Sequence, residues 1–183
     1  MTIESSSATD DLARRAIARC ACGVVEIEAL GRAIFGVVCY CDDCQTAAGR
    51  IEAMPDAPPV RARDGGTPLI VYRKDRIRCL RGRDRLHKIK LRDSSPTNRW
   101  IASCCNSAML LNFDDAKHWA DVYRARFVGN PPPVEMRVCA RFATGKLDNV
   151  EGLPVATGYP ARFVARLILA RLTMMFSGRR LEG

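Results

Sequence analysis

The sequence lacks any apolar run long enough to cross a membrane. Its longest apolar stretch, Phe163 to Phe176, is interrupted by Arg166 and Arg171, whereas a bilayer requires roughly 20 mainly apolar residues. The opening segment, MTIESSSATDDLARR, is polar and contains no apolar core of a secretory signal. These absences argue against a transmembrane helix and predict a cytoplasmic protein.

Lysine and histidine are also scarce. Only five of the 29 basic residues are lysines, and the two histidines, His87 and His118, stand alone. We interpret both histidines as surface or packing residues.

The positive charge is concentrated in one part of the chain. The net charge of +9 equals the excess carried by residues 61–99, which hold thirteen basic residues and four aspartates. This stretch could attract an anion, although an arginine surplus can equally reflect the base composition of a genome. Tyr72 and Trp100 are its main aromatic neighbours, so base stacking has little support and nucleic acid is not an expected partner.

Cysteine, in contrast, is abundant. The chain has nine cysteines, an odd number, and no predicted export signal, so a disulfide framework explains them poorly. Zinc is typically bound by four thiolate or imidazole ligands at tetrahedral angles. We therefore predict metal sites at three clusters, which are Cys20-Ala-Cys22-Gly23, Cys39-Tyr-Cys41-Asp-Asp-Cys44 and Cys104-Cys105.

The spacing within the clusters indicates how they could reach a metal. Residues i and i+2 of a strand point the same way, so Cys20 and Cys22 can share one ion if the chain turns at Gly23, where glycine permits it. The C-x-C-x-x-C run at residues 39–44 presents three thiolates and leaves a fourth position open, as in catalytic zinc sites.

Two other interpretations of the cysteines stay open. Free cysteines are often simply buried, and Cys41 with Cys44 could form a redox dithiol, although no βαβ context surrounds them. Spacings of two and three residues favour metal ligation over both. Cys79 and Cys139 stand alone in apolar segments, and we interpret these two as packing residues.

The hydrophobic pattern predicts a mostly β domain. Residues 24–30 and 33–40 are predicted strands joined as a hairpin, and strand-like runs return at PLIVYR, RIRCLRG, HKIKL, NRWIAS and AMLLNF. Their short, punctuated spacing favours antiparallel sheets. Residues 42–50 fit a single helical turn, residues 51–60 a loop, and residues 114–123 either a helix or a loop.

This pattern divides the chain into four segments. Residues 1–17 are a predicted flexible tail that could form a short helix before Cys20, and residues 18–128 form the β domain. Residues 129–160 are a Pro/Gly-rich connector, and residues 161–183 an amphipathic basic helix with a tail. This helix could lie on an anionic membrane, join a second subunit in a homodimer, or pack on its own domain, which is the commonest arrangement.

The cysteine blocks resemble those of a known family. CACGVVEIEA, VVCYCDDCQTAAG and RWIASCCNSAM are similar to the C-x-C-G, C-H-C-x-x-C-R and R-x-F-C-x-x-C-G-T blocks of the glutathione-dependent formaldehyde-activating (GFA) family, which also contains centromere protein V. The resemblance covers about residues 18–113. It implies a small β-tent of folded antiparallel sheets around a structural zinc.

The resemblance also implies two zinc ions with different roles. Cys20, Cys22 and Cys105 would be ligands of the structural zinc, with Cys104 as its fourth ligand. Cys39, Cys41 and Cys44 would hold a second zinc, to which a glutathione thiolate can bind.

This chain departs from the family pattern at several positions. Ala102 stands where the family has the first cysteine of its last C-x-x-C pair, and Cys104 is the extra thiol. Adjacent cysteines can reach one metal only if the backbone kinks, and Cys104 could instead close the second zinc. Tyr40 and Gln45 replace a common histidine and arginine.

The implied site predicts a reaction. Zinc at the three central cysteines lowers the pKa of an incoming thiol, and the thiolate attacks an aldehyde such as formaldehyde. The implied class is a carbon–sulfur lyase of the S-(hydroxymethyl)glutathione synthase type. Asp43 is the nearest candidate proton acceptor, although capping a turn is the commoner role of such an aspartate. The alternative hypothesis is a non-catalytic zinc module that binds an acidic partner through residues 61–99.

Overall fold

The computed structural model describes residues 14–145, 147 and 152–176. The described chain contains two α-helices, α1 (Asp42–Glu52) and α2 (Ala161–Phe176). Its ten strands are β1 (Arg15–Arg19), β2 (Glu26–Leu30), β3 (Phe35–Cys39), β4 (Thr67–Arg73), β5 (Ile77–Arg81), β6 (Leu86–Ile89), β7 (Thr97–Ala102), β8 (Ser107–Phe113), β9 (Trp119–Tyr123) and β10 (Met136–Val138).

The strands form two sheets. The small sheet has three strands in the order β1-β2-β5, and the large sheet has seven in the order β10-β3-β4-β9-β8-β7-β6. Neighbouring strands are antiparallel except for β10, which runs parallel to β3. The prediction of a mostly β scaffold of folded, mainly antiparallel sheets with a C-terminal helix is confirmed.

The large sheet is the middle of three layers. Successive side chains of a strand point to opposite faces, so Ile70 and Tyr72 of β4 pack with Ile27 of the small sheet. Leu69 and Val71 of the same strand belong to the core that includes both helices. The second face, which we call the helix side, carries Cys39 at the end of β3.

Helix α2 packs on its own domain. The ring of Phe163 lies 4.6 Å from that of Phe35, and Leu167 and Ala170 are buried. The imidazole Nε2 of His118 lies 2.8 Å from the carbonyl oxygen of Leu167, so His118 is a packing residue as predicted. Neither described helix combines the length and the apolarity that crossing a bilayer would require.

Two local predictions about the first part of the chain are wrong. Strands β2 and β3 do not form a hairpin, because β2 pairs with β1 and β5 while β3 belongs to the large sheet. Residues 1–13 of the predicted tail lie outside the described residues, and the described segment directly before Cys20 is not a helix, because residues 15–19 form strand β1, whose Ala18 is buried against the core. Pairing with β2 overrides the weak helical pattern of this segment.

Three further elements differ from their predictions. Helix α1 has 11 residues rather than a single turn, because Ala47, Ala48 and Ile51 bury one face of it. Residues 114–123 contain the strand β9 instead of a helix or a plain loop. The connector at residues 129–160 contains β10, which pairs with β3.

Candidate metal centres and the adjoining cavity

Four cysteines come together where β1 ends and where β7 turns into β8. The sulfur atoms of Cys20, Cys22, Cys104 and Cys105, here called the closed cluster, all lie within 4.8 Å of one another. The Sγ atoms of Cys20 and Cys22 are 3.5 Å apart, and those of Cys20 and Cys104 are 3.8 Å apart. Tetrahedral zinc with bonds of about 2.3 Å places its sulfur ligands about 3.8 Å apart, so this donor set fits the ion.

Local backbone features bring the first pair of thiols into the closed cluster. Gly23 has a φ of 80°, and its N–H donates to the carbonyl oxygen of Cys20 at 3.0 Å. This turn follows the end of β1 directly. The N–H of Val25 then donates to the Cys20 sulfur at 3.2 Å. A backbone donor of this kind stabilises the thiolate form of a cysteine.

The second pair of thiols lies in the tight turn between β7 and β8. Asn106 has a φ of 50°, in the left-handed region that asparagine tolerates better than most residues. This is the kink that adjacent ligands require, and it brings both Cys104 and Cys105 to the closed cluster. Cys104 therefore lies with Cys20 and Cys22 rather than at the three central cysteines.

The closed cluster lies beside an arginine. Arg126 has its positive charge close enough to attract the thiols of Cys105 and Cys20, and its Nη1 donates to the Ser107 hydroxyl at 3.4 Å. Burial acts against ionisation of Cys105, but hydrogen bonds from Ser107 and from the Cys22 N–H lower its pKa to about 6. The surroundings of Cys105 thus favour the thiolate form that a metal requires, whereas burial raises the pKa values of Cys20 and Cys104.

The three central cysteines form a second group on the helix side. The sulfur atoms of Cys39, Cys41 and Cys44, here called the open cluster, lie within 4.8 Å of one another. Cys39 ends β3, Cys41 is the N-cap of α1, and Cys44 lies in its first turn. Hydrogen bonds from the thiols of Cys39 and then Cys44 lower the pKa of Cys41 to about 3, and the helix N-terminus also favours a thiolate there.

A fourth cysteine contacts the open cluster, which the sequence interpretation missed. Cys139 is buried with a φ of 59°, and its thiol hydrogen-bonds with that of Cys39, which raises the pKa of Cys39. It follows β10, where Val138 pairs with Cys39, so a strand pairing distant in sequence creates the contact. Cys79 lies elsewhere, with its thiol directed to the Arg81 carbonyl oxygen at 3.2 Å.

Arg99 is the cation beside the open cluster. Its side chain is only 2% exposed, and its charge is one of the smaller influences that lower the pKa of Cys41. At Cys44, a hydrogen bond with Cys39 acts to lower the pKa, but the hydrogen bond with Cys41 and burial outweigh it and the charge of Arg99, so the pKa of Cys44 is raised. Its Nη2 donates to the carbonyl oxygen of Asp43 at 3.1 Å. Its Nε and Nη1 atoms have no hydrogen-bond partner among the described residues. The Asp43 carboxylate is half exposed and lies 3.5 Å from Arg92.

A cavity adjoins the open cluster on the helix side. Its volume is about 450 Å³, and it lies between the large sheet and helix α2. The three cysteines, Asp43 and Arg99 lie along one part of its lining. Most of the remaining lining is apolar and includes Leu69, Val71, Leu111, Phe113, Trp119 and Phe163.

One carboxylic acid lies in the apolar part of this cavity. Asp121 of β9 pairs in register with Leu111 of β8 and with Val71 of β4, so it shares their face of the sheet. Loss of hydration on burial raises the pKa of Asp121 to about 7. It is therefore a candidate proton donor or acceptor that no sequence motif indicated.

The two departures from the family pattern beside the cysteines have structural roles. Tyr40 is buried, and its hydroxyl donates to Asp64 at 2.9 Å while Arg137 donates to that hydroxyl. The side-chain amide of Gln45 donates to the carbonyl oxygens of Tyr40 and Phe142 at 2.7 and 2.6 Å. Both side chains tie the cysteine-bearing segment to the rest of the domain.

The raised pKa of Asp121 predicts a pH-dependent stability. The folded protein keeps a proton at Asp121 that the unfolded chain has released, so the free energy of unfolding falls as pH rises through the folded pKa. Asp121→Asn should remove about 1 kcal/mol of this decline between about pH 6 and pH 8. Urea unfolding at each pH measures it, with the exposed Asp84→Asn as the control. Parallel pH profiles for all three proteins would contradict the assignment.

Comparison with known proteins places these features in a family. A model of the family "Glutathione-dependent formaldehyde-activating enzyme" matches residues 15–128, and no match is found among curated proteins. A crystal structure of a Rhodobacter sphaeroides protein is similar at 16% identity with a TM-score of 0.46, over 76% of this chain and 98% of that chain. The family match spans more than half of the chain and includes both cysteine clusters, so the chain belongs to the glutathione-dependent formaldehyde-activating enzyme family.

Proposed function

We propose that this protein is a zinc-dependent carbon–sulfur lyase that forms or cleaves thiol adducts of small aldehydes, such as the glutathione adduct of formaldehyde. Family membership supports a glutathione-dependent, formaldehyde-activating role in general. The single observation that carries the finer proposal is the open cluster. It presents three thiols within 4.8 Å of one another at a cavity, which is the donor set of a zinc site with one position free.

The two clusters have different roles in this proposal. The closed cluster, Cys20, Cys22, Cys104 and Cys105, holds a structural zinc, since four sulfur donors complete a tetrahedron. The open cluster, Cys39, Cys41 and Cys44, holds the second zinc. Zinc bound there would supply a Lewis acid that keeps an incoming thiol in its thiolate form near neutral pH.

The chain's own residues support the remaining chemistry. In the forward direction the thiolate sulfur attacks the carbonyl carbon, a C–S bond forms, and the C=O π pair moves to the oxygen, which takes up a proton. Arg99 offsets the negative charge that accumulates beside Cys41 and Cys44. Asp43 and Asp121 both line the cavity, and either can exchange the proton. The reverse reaction breaks the C–S bond.

The partners follow from the same site. Glutathione carries carboxylates, and the exposed Arg92 lies beside Asp43 of the cavity lining, so a cation is available to bind one of them. The proposed location is the cytoplasm, where thiols stay reduced.

The outer face of α2 exposes Ile168, Leu169 and Met175, and such an apolar face supports a homodimer formed through this helix.

The non-catalytic alternative rests on the basic stretch at residues 61–99. Much of its charge is already paired with acidic side chains, as in Arg61–Glu52, Arg78–Glu28, Arg81–Glu26 and Lys90–Asp114. The Glu28 carboxylate is buried, but ion pairs at more exposed positions, such as Lys90–Asp114, are weak, so an acidic partner could still compete for these. No observation favours such a partner over the cavity, and we retain it as the outcome that a failed thiol-binding experiment would support.

The different roles of the two clusters predict different effects when one cysteine of each cluster is replaced. Cys22→Ser should yield insoluble protein or protein without cooperative unfolding, because a structural zinc contributes folding free energy directly. Cys41→Ser should stay folded and bind a single zinc ion. Near-ultraviolet circular dichroism and zinc analysis measure both properties, and Cys79→Ser is the matched control. Equal loss of folding in the Cys22→Ser and Cys41→Ser variants would contradict the different roles proposed for the two clusters.

Thiol binding distinguishes the enzyme from the binding module. Glutathione should bind the zinc-loaded protein as its thiolate and release one proton, so its affinity should rise with pH up to the thiol pKa of about 8.5. Added salt should weaken the binding, because the carboxylates of glutathione interact with exposed cations. Calorimetry in buffers of different ionisation enthalpy measures the proton.

S-methylglutathione, which has no thiol proton, is the control ligand for this experiment. It should show neither the proton release nor the pH dependence. Glutathione binding that is unchanged in Cys41→Ser, or no binding at all, would refute the lyase proposal.

A further inference from the structure

The cavity at the open cluster is much larger than the smallest aldehyde requires. Its volume of about 450 Å³ lies within the range of roughly 300–1,000 Å³ typical of pockets that enclose small organic ligands. Formaldehyde would leave most of that space unfilled. The cavity therefore has room for a substituent on the carbonyl carbon.

The lining of the cavity indicates the chemistry of that substituent. Away from the cysteines, its walls are formed largely by aliphatic and aromatic side chains, including Leu111, Phe113 and Trp119. Burying a methylene group against such a surface is favourable by about 0.8 kcal/mol in transfer measurements. The tripeptide part of glutathione is polar and charged, so it suits the mouth of the cavity rather than these walls.

A buried cation with two unpaired donor atoms lies at the cysteine end of the same cavity. Arg99 is 2% exposed, and its Nε and Nη1 atoms donate to no group of the described residues. Leaving such donors unsatisfied is costly, and both belong to a side chain that lines the cavity. A ligand oxygen near the three cysteines would satisfy them. The oxygen of an aldehyde under attack at its carbonyl carbon meets that requirement, because it gains negative charge.

Helix α2 completes the apolar wall. Phe163, Val164 and Leu167 line the cavity, and all three lie beyond residue 128, where the family match ends. The segment that shapes this part of the cavity is therefore separate from the segments that carry both cysteine clusters.

We propose that the aldehyde substrate of this protein carries a hydrophobic chain or ring, which lies along the apolar cavity with the carbonyl oxygen at Arg99. This inference rests on the proposed function and narrows its substrate class. The thiolate sulfur adds to the carbonyl carbon, the π pair moves to the oxygen beside Arg99, and a proton from Asp121 or solvent converts it to the hydroxyl of a hemithioacetal. Breaking the C–S bond and returning the proton reverses the step.

The cavity can be tested without turnover by using hexan-1-ol as an unreactive probe. Calorimetry on the zinc-loaded protein should show that hexan-1-ol binds at least about tenfold more tightly than ethanol, because its longer chain buries more methylene groups. Val164→Glu adds a charge at a half-exposed position of the cavity lining and should weaken hexan-1-ol binding about tenfold. Leu172→Glu makes the same change on the same helix at a residue that is 45% exposed and is not part of this cavity lining, and should leave the binding unchanged.

The second measurement compares kcat/KM for two aldehydes. With glutathione as the thiol, kcat/KM for hexanal should exceed that for formaldehyde by about tenfold or more. Val164→Glu should reduce the hexanal value by a larger factor than the formaldehyde value. Arg99→Lys should reduce the values for both aldehydes by the same factor, because the carbonyl oxygen is common to both.

The outcomes separate this inference from the proposed function. Thiol binding and formaldehyde turnover without hexan-1-ol binding, or with formaldehyde preferred over hexanal, would overturn the inference and leave the lyase in place. Loss of thiol binding and of turnover with every aldehyde would overturn the lyase and this inference with it. A reduction by Arg99→Lys for one aldehyde alone would refute the placement of the oxygen.

Discussion

The meeting of two distant chain turns at four thiols is the constraint on which the rest of the structure depends. Cys20 and Cys22 follow the edge strand of the small sheet, whereas Cys104 and Cys105 lie in a turn of the large sheet. A metal ion bound by all four would fasten the two sheets together at one end of their shared core. Such a link would stabilise a domain whose small sheet has three strands in the described part of the chain.

The open cluster lies on the opposite face of the large sheet, the helix side. Cys39 reaches the helix side at the end of β3, and the chain then turns directly into α1, so Cys41 and Cys44 return to the same point. Each cluster has one buried or half-buried arginine nearby, Arg126 at the closed cluster and Arg99 at the open one. Thiolate groups carry negative charge, and a fixed cation limits the cost of bringing them together. The arginine at the open cluster lies on a cavity, which is why we assign chemistry to that cluster.

Much of this arrangement could be predicted from the sequence because its signals are local. The C-x-C and C-x-x-C spacings are set by strand and turn geometry within a few residues, and the alternating apolar runs indicated most of the strands. The adjacent pair Cys104 and Cys105 required a backbone kink, which the left-handed Asn106 provides. The C-terminal amphipathic pattern likewise indicated α2, and its docking on the domain through Leu167 and Ala170 was the commonest of the predicted arrangements.

The features that escaped prediction depend on contacts between distant residues. Cys139 approaches Cys39 only because β10 pairs in parallel with β3, and Asp121 enters the cavity only because residues 119–123 form a central strand of the large sheet. The hairpin predicted for β2 and β3 failed for the same reason, since partners from later in the chain compete for both strands. In the sequence analysis Arg99 was only one of the basic residues of the stretch at residues 61–99, and its burial follows from packing that the sequence pattern does not encode.

The central claim is that this fold is built on two metal–thiolate sites, and its most direct test is elemental analysis of protein purified without added metal. Four sulfur donors at one site and three at the other predict two zinc ions per chain, with the thiols of both clusters protected from alkylating reagents until a chelator removes the metal. A zinc content near zero in folded protein whose cluster thiols react freely would contradict the account.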